Sequence, residues 1–213
     1  MGKDTLRESV SFFVLQTIMY MNIGLFFGSF NPIHSGHLML AQWIANFGGV
    51  SEVWFVVSPQ NPFKVGSQLA PAEHRVAMVH KAVANSPQLR VCDVELHLPL
   101  PSYTANTLCA LHSQYPQHEF TLIMGADNVE GLPRWKRAEE ILAHRILVYP
   151  RPNCPIVDLP NSHIEHIQAP QIEISSTMIR EWVANGKNIN HFVPFEVAQY
   201  ISEHKLYRYC TNS

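Results

Sequence analysis

What this sequence lacks narrows its function before any motif is weighed. It has no clean apolar run of the roughly 20 residues that a membrane span requires. The nearest approach, Val10 to Tyr20, follows Lys3 and Arg7 as a secretory leader does, but Ser11, Gln16 and Thr17 interrupt it and no small-x-small cleavage site follows. Residues 1–20 are therefore read as an N-terminal extension. Met19 and Met21 are candidate native starts directly before the first convincing strand, which mass spectrometry of the endogenous protein would test. Neither charge sign is in excess. With 15 Lys and Arg against 17 Asp and Glu, the net charge of -2 offers no global basic field for a duplex nucleic acid or an anionic membrane. Any anionic ligand must be held locally. The four cysteines, Cys92, Cys109, Cys154 and Cys210, are far apart and form no C-x-x-C pair. That excludes a disulfide framework and a cysteine-based zinc site, and it suits a reducing, cytoplasmic setting. Repeats, low-complexity tracts, charge blocks, a Ser/His/Asp triad and paired carboxylates are missing too.

What is present is a hydrophobic fraction of 46% over 213 residues, enough for one substantial core, read here as a single domain over residues 21–213. Short apolar runs alternate with segments of helical period, the signature of an α/β chain. Strands are predicted over 23–27, 53–57, 91–96, 120–124 and 146–149. Most do not alternate, so they should be buried on both faces and pair in parallel. Stripes such as Leu40, Ala41, Ile44 and Ala45, or Val76, Val79 and Val83, mark crossover helices. The fold class is a doubly wound parallel sheet, Rossmann-like, with a C-terminal helical part. Five prolines between Pro150 and Pro170 read as a surface excursion. Ser175 to Thr177 then cap a helix beginning about Met178, and a last helix spans about 194–204 with Val197 and Ile201 inward.

Two motifs carry phosphate chemistry. Gly28-Ser29-Phe30-Asn31-Pro32-Ile33-His34-Ser35-Gly36-His37 follows the first strand and opens a helix, where backbone amides and the helix dipole attract anions. Gly28 allows close approach of a phosphate or ribose, and His34 and His37, three apart, can face the same way and donate to phosphate oxygens. A zinc half-site is the competing reading of such a pair, but no further ligand pair at metal spacing lies nearby. Ser175-Ser176-Thr177 with Arg180 collects hydroxyls, amides and a guanidinium suited to a triphosphate. These runs resemble the G-x-F-x-P-x-H-x-G-H and I-S-S-T-x-x-R signatures of the nucleotidylyltransferase superfamily, with every specified position matched.

Three further segments bear on the acceptor. Ser58 to Lys64, with Pro59 and Pro62, can present Asn61 and Lys64 in an extended loop. Ser102-Tyr103-Thr104 caps a helix whose free amides could dock a carboxylate. Gly125, Asp127 and Trp135 offer a strand-end carboxylate for ribose hydroxyls and an indole that either stacks on a heteroaromatic ring or fills the core. Together they resemble the nicotinate mononucleotide adenylyltransferase family. The resemblance implies transfer of the AMP part of ATP, carried with Mg²⁺ on its own phosphates and no dedicated metal cage. Catalytic roles would fall to His34, His37, Lys64 and Arg180. ATP would meet Gly28, Ser29, Phe30, His34, His37, Gly125, Asp127, Ser175, Ser176, Thr177 and Arg180. Nicotinate mononucleotide would meet Asn61, Lys64, Ser102, Tyr103, Thr104, Asp127 and Trp135. One position departs from the pattern, since Asn106 stands where the family has Asp. Phosphopantetheine or nicotinamide mononucleotide as acceptor, and an ATP-sensing module without turnover, remain as alternatives. A homo-oligomer is compatible with the sequence; nucleic-acid and membrane partners are not expected.

Overall fold

The computed structural model describes residues 20–59 and 69–208. The chain enters through β1 (Asn22–Gly28) and turns into α1 (Ser35–Phe47), β2 (Glu52–Val57) and α2 (Ala72–Val83). β3 (Leu89–Cys92) leads through a 3-10 turn at Val94–His97 into α3 (Thr104–Gln114) and β4 (Glu119–Gly125). The short α4 (Ala126–Val129) and a 3-10 turn at Leu132–Arg134 precede α5 (Ala138–Leu142), β5 (Arg145–Tyr149) and β6 (His163–His166). The helices α6 (Ser176–Ala184) and α7 (Phe195–Glu203) follow. All pairings in the sheet are parallel, in the order β3-β2-β1-β4-β5-β6. The order reverses between β1 and β4, so the carboxyl ends of these two strands open the crevice where ligands bind in doubly wound sheets.

The strands form because their residues have apolar surface to hide on both faces. β2 is buried at all six positions. Side chains alternate between two cores: Phe26, Val53, Phe55 and Val57 face α1, α2, α6 and α7, while Ile23, Leu25, Trp54 and Val56 face α3 and α5. Burying a residue such as Leu25 is worth about 1.5–3 kcal/mol relative to exposure. Truncating it to alanine would cost about 2–5 kcal/mol, because the close-packed centre of the sheet relaxes little. The α1 stripe Leu40, Ala41, Ile44 and Ala45 is inward as expected, and Val197 and Ile201 seat α7. Among the described residues no helix is long and apolar enough to cross a membrane.

Three expectations need correction. The third strand ends at Cys92 rather than reaching Leu96, because Glu95 turns inward, 3% exposed, to accept from Ser102 Oγ (3.0 Å) and Thr107 Oγ1 (2.8 Å). The α2 stripe holds at Val79 and Val83, but Val76 is only half-buried and Arg75 takes a core position instead. The proline-rich excursion also carries a sixth strand, β6, whose pattern His-Ile-Glu-His has no apolar alternation beyond Ile164. A bidentate pair between Arg145 and Glu165, at 2.8 and 2.7 Å, helps hold that edge strand.

Candidate active site

The crevice at the ends of β1 and β4 gathers the phosphate motifs. After Gly28 the backbone turns through Phe30 at φ 45, a left-handed conformation uncommon for a bulky residue. The Phe30 ring folds back over Gly28, with its Cζ 2.8 Å from where a Cβ would stand. Gly28 therefore makes room for the Phe30 ring on that face, where the sequence suggested a phosphate or ribose.

His34 ends the turn as the N-cap of α1, in extended conformation, its Nδ1 accepting from the His37 amide at 3.3 Å. Imidazole replaces the usual short oxygen side chain at this cap. With Nδ1 engaged as an acceptor, neutral His34 carries its proton on Nε2. The His37 ring stacks on His34 at 3.6 Å between centroids and 20° between planes, and meets Phe26 and Phe30 edge-on. Burial lowers the pKa of His34 to about 4, aided by the charge of Arg151, and lowers that of His37 through burial first, then His34 and Arg151. Both imidazoles are thus neutral near pH 7. The Nδ1 of His37 is sealed from solvent and has no partner among the described residues.

The helix start contributes fewer free amides than its sequence suggests. Ser35 donates to the Phe192 carbonyl at 2.8 Å, while His37 and Leu38 donate to the His34 carbonyl at 3.0 and 3.3 Å. An anion here would meet the imidazoles and Gly36 rather than a full row of free N–H groups.

A second wall comes from α6. Ser175 caps it by accepting from the Met178 amide (3.2 Å), and Ser176 Oγ donates to the Pro32 carbonyl at 2.9 Å. Arg180 donates through Nη1 to the Asn31 carbonyl at 2.9 Å and through Nη2 to Thr177 Oγ1 at 3.2 Å. The two signatures, some 140 residues apart in sequence, are therefore clasped by direct hydrogen bonds, and part of their hydroxyl capacity is committed to the clasp. Arg75, 1% exposed, lies beneath the same turn and donates to the carbonyl of Ser29. Arg151, just past β5, pairs with Asp127 at 3.6 Å and lies over the Tyr149 ring at 5.2 Å. A Cβ at Gly125 would meet the Asp127 carboxylate, so a larger residue here would push that side chain out of its present place. Neither Arg75 nor Arg151 was singled out from sequence. Only the position of Arg151, just after a strand end, could have flagged it.

Of the segments expected to meet the acceptor, Ser102 to Thr104 lies at the start of α3. Tyr103 caps that helix in extended conformation without a side-chain cap, so the first amides, at Thr104 and Ala105, have no capping acceptor from it. The Ser102 hydroxyl is committed to Glu95. The segment after α4 reaches this helix start: Lys136 Nζ lies 4.4 Å from the Tyr103 ring centroid, and Arg137 Nη1 donates to Asn106 Oδ1 at 3.4 Å. Trp135, just before them, is half-buried and packs against the second core. Asn61 and Lys64 lie outside the described residues. Among the described residues no group of three or more His, Cys, Asp or Glu side chains is placed to hold a metal ion.

Comparison with known proteins follows the same lines. The cytidylyltransferase-like family model matches residues 25–182. A probable nicotinate-nucleotide adenylyltransferase of Cytophaga hutchinsonii is 47% identical over 189 residues, covering 88% of this chain and 98% of the relative. A protein of the same description from Bacteroides fragilis is 48% identical over 174 residues, covering 80% and 86%. Among solved structures, Plasmodium falciparum nicotinic acid mononucleotide adenylyltransferase complexed with NaAD superimposes with a TM-score of 0.71 at 23% identity, over 87% of this chain and 97% of that one. At that identity the likeness is one of fold.

Proposed function

The chain belongs to the cytidylyltransferase-like family and groups with its nicotinate-nucleotide adenylyltransferases, and from that premise we propose that it transfers the adenylyl group of ATP to nicotinate mononucleotide, releasing pyrophosphate. The observation that carries this reading is the stacked His34–His37 pair after β1, whose preceding turn is clasped at Pro32 and Asn31 by Ser176 and Arg180 of α6. Residues 21–213 are taken as one domain, since elements from β1 to α7 supply the sheet and its cores.

The acceptor's phosphate, with a second pKa of about 6, is already an anionic nucleophile near neutral pH, so no general base is required. An acceptor phosphate oxygen forms a bond to the α-phosphorus of ATP as the bond to the bridging oxygen breaks, and that oxygen leaves with pyrophosphate. Catalysis then rests on alignment and on donors aimed at developing charge. Neutral His34 offers its Nε2 proton and His37 its N–H to α- and β-phosphate oxygens. Arg180 and Lys64 neutralise their neighbours. Gly28, Ser29, Phe30, Gly125, Asp127 and Ser175 to Thr177 line the ATP side. Asn61, Ser102, Tyr103, Thr104, Asp127 and Trp135 line the acceptor side, where the α3 amides face the nicotinate carboxylate. Asp127 is paired with Arg151, and among the described residues no group of three or more His, Cys, Asp or Glu side chains gathers to hold a hard cation. Mg²⁺ therefore fits best on ATP's own oxygens, where it would offset charge on the leaving pyrophosphate.

The test is pyrophosphate release from MgATP with nicotinate mononucleotide, nicotinamide mononucleotide and phosphopantetheine compared in parallel. Turnover is expected with the nicotinate form foremost. A preference for another acceptor would overturn the carboxylate reading of the α3 start, and silence with all three would overturn the enzyme itself.

A further inference from the structure

Arg75 is the largest fully buried side chain among the described residues, and it is charged. No ion pair joins it to a carboxylate among those residues. Its hydrogen bonds instead go to main-chain carbonyls: Nε to Ala70 (2.9 Å), Nη1 to Ser29 (2.8 Å) and Ser58 (2.6 Å), and Nη2 to Pro59 (2.7 Å). These four acceptors come from the turn after β1, the end of β2 and the segment entering α2. A guanidinium buried without a counter-charge is costly to keep, and fixing three loops could have been left to neutral groups.

The Ser29 contact says what the charge is placed to do. In a planar trans peptide the carbonyl and the following N–H point to opposite sides. A guanidinium that draws the Ser29 carbonyl inward therefore turns the Phe30 amide outward, and no backbone carbonyl among the described residues accepts it. Phe30 is the residue held at φ 45, a conformation that needs an external hold. Its ring in turn abuts His37, with centroids 5.2 Å apart. The adjoining Asn31 is tied to the same scaffold, its Oδ1 accepting from the Ala70 amide at 3.1 Å and the Tyr207 hydroxyl at 2.9 Å.

We propose that Arg75 is a positioning residue for the transfer reaction: by gathering the Ser29, Ser58, Pro59 and Ala70 carbonyls it holds the turn after β1 so that the Phe30 amide and the His34–His37 pair face the nucleotide phosphates. It touches no substrate and acts through that turn. The proposal rests on the adenylyl-transfer reading but has a readout of its own, the affinity for a non-hydrolysable ATP analogue.

Arg75→Lys keeps the charge but cannot span four carbonyls. It should lower kcat/KM for ATP by about 30-fold, mostly through kcat, and weaken analogue binding by about tenfold, an effect in keeping with small misplacements of catalytic groups. Val83→Ala on the same helix is the control for stability alone, since it should lower Tm while leaving both readouts within twofold. A double-mutant cycle with Phe30→Gly adds specificity, because glycine adopts a positive φ unaided. In that background Arg75→Lys should cost less than about fivefold further. Unchanged kinetics and analogue affinity in folded Arg75→Lys, additive effects in the cycle, or failure of Arg75→Lys to fold would each overturn the proposal, the last by making Arg75 a residue of the fold. A wild-type protein that binds the analogue without turnover would sink the adenylyl-transfer reading and leave the affinity comparison to decide this one.

Discussion

The two ends of the crevice are built differently. At the end proposed for the phosphates His34, Asn31 and Arg75 are at most 5% exposed, and the turn after β1 is tied to Ser176 and Arg180 of α6, to Arg75 of α2 and, at Asn31, to Tyr207 of the C-terminal segment. At the end proposed for the acceptor, buried Glu95 accepts from Ser102 and Thr107 at the α3 start, but Lys136 and Arg137 are exposed and reach that start through a cation over a ring and one long hydrogen bond. The difference suits the two ligands. A polyphosphate needs donors fixed before it arrives, since reorganising them at the moment of reaction wastes their effect. A mononucleotide acceptor needs room to enter and leave, and a partly exposed indole and ammonium supply contact without a closed cage.

The contrast predicts effects that decline from the buried end to the exposed one. His37→Ala should lower kcat by about 10²–10³, the range for losing one transition-state donor; steady-state kinetics showing a change confined to KM would remove His37 from that role. The buried end should also respond to acid. His34 has a folded pKa of about 4 against an ordinary value near 6.5, so the unfolded chain takes up the proton first as pH falls. The stability conferred by neutral His34 is complete above about pH 6.5 and is lost between 6.5 and 4, to the extent of about 3 kcal/mol. Urea titrations at pH 7 and 4.5, with His34→Asn as the comparison, would expose this dependence. Equal slopes in both proteins would count against it.

At the exposed end, Trp135→Ala should raise KM for nicotinate mononucleotide about tenfold, as the loss of one stacking contact would. KM for ATP should stay within twofold; a shift in both would mean that Trp135 serves the core more than the acceptor. Smallest of all is Asn106→Asp. It adds a second carboxylate beside Arg137, which already pairs with Glu140, on an exposed surface where such pairs contribute less than about 1 kcal/mol. Thermal unfolding should change by a few degrees at most and acceptor KM by less than threefold. A larger kinetic change would show that position 106 senses the acceptor's charge.

Much of this architecture was legible from residue order. Unalternating apolar runs placed four of the five expected strands closely, and the spacing of His34, His37, Ser175 and Arg180 marked two segments that the structure brings into contact, because a strand, a turn and a capped helix are local events. Arg75 was not legible. Its partners are main-chain carbonyls, which every residue possesses, so no residue type announces where four of them will converge. β6 was hidden for a related reason, since its stabilisation comes from pairing with β5 and from Arg145 rather than from its own apolar pattern.

The sequence by itself determined the alternation of strands and helices, the parallel sheet and the identity of the groups that can meet a phosphate, for these follow from periodicity and side-chain chemistry. Only the tertiary structure decided that His34 caps α1 and is neutral, that Ser102 answers to Glu95, and that Gly28 yields its space to Phe30. Each of those depends on burial and on contact between segments distant in sequence, and neither quantity exists until the chain has closed on itself.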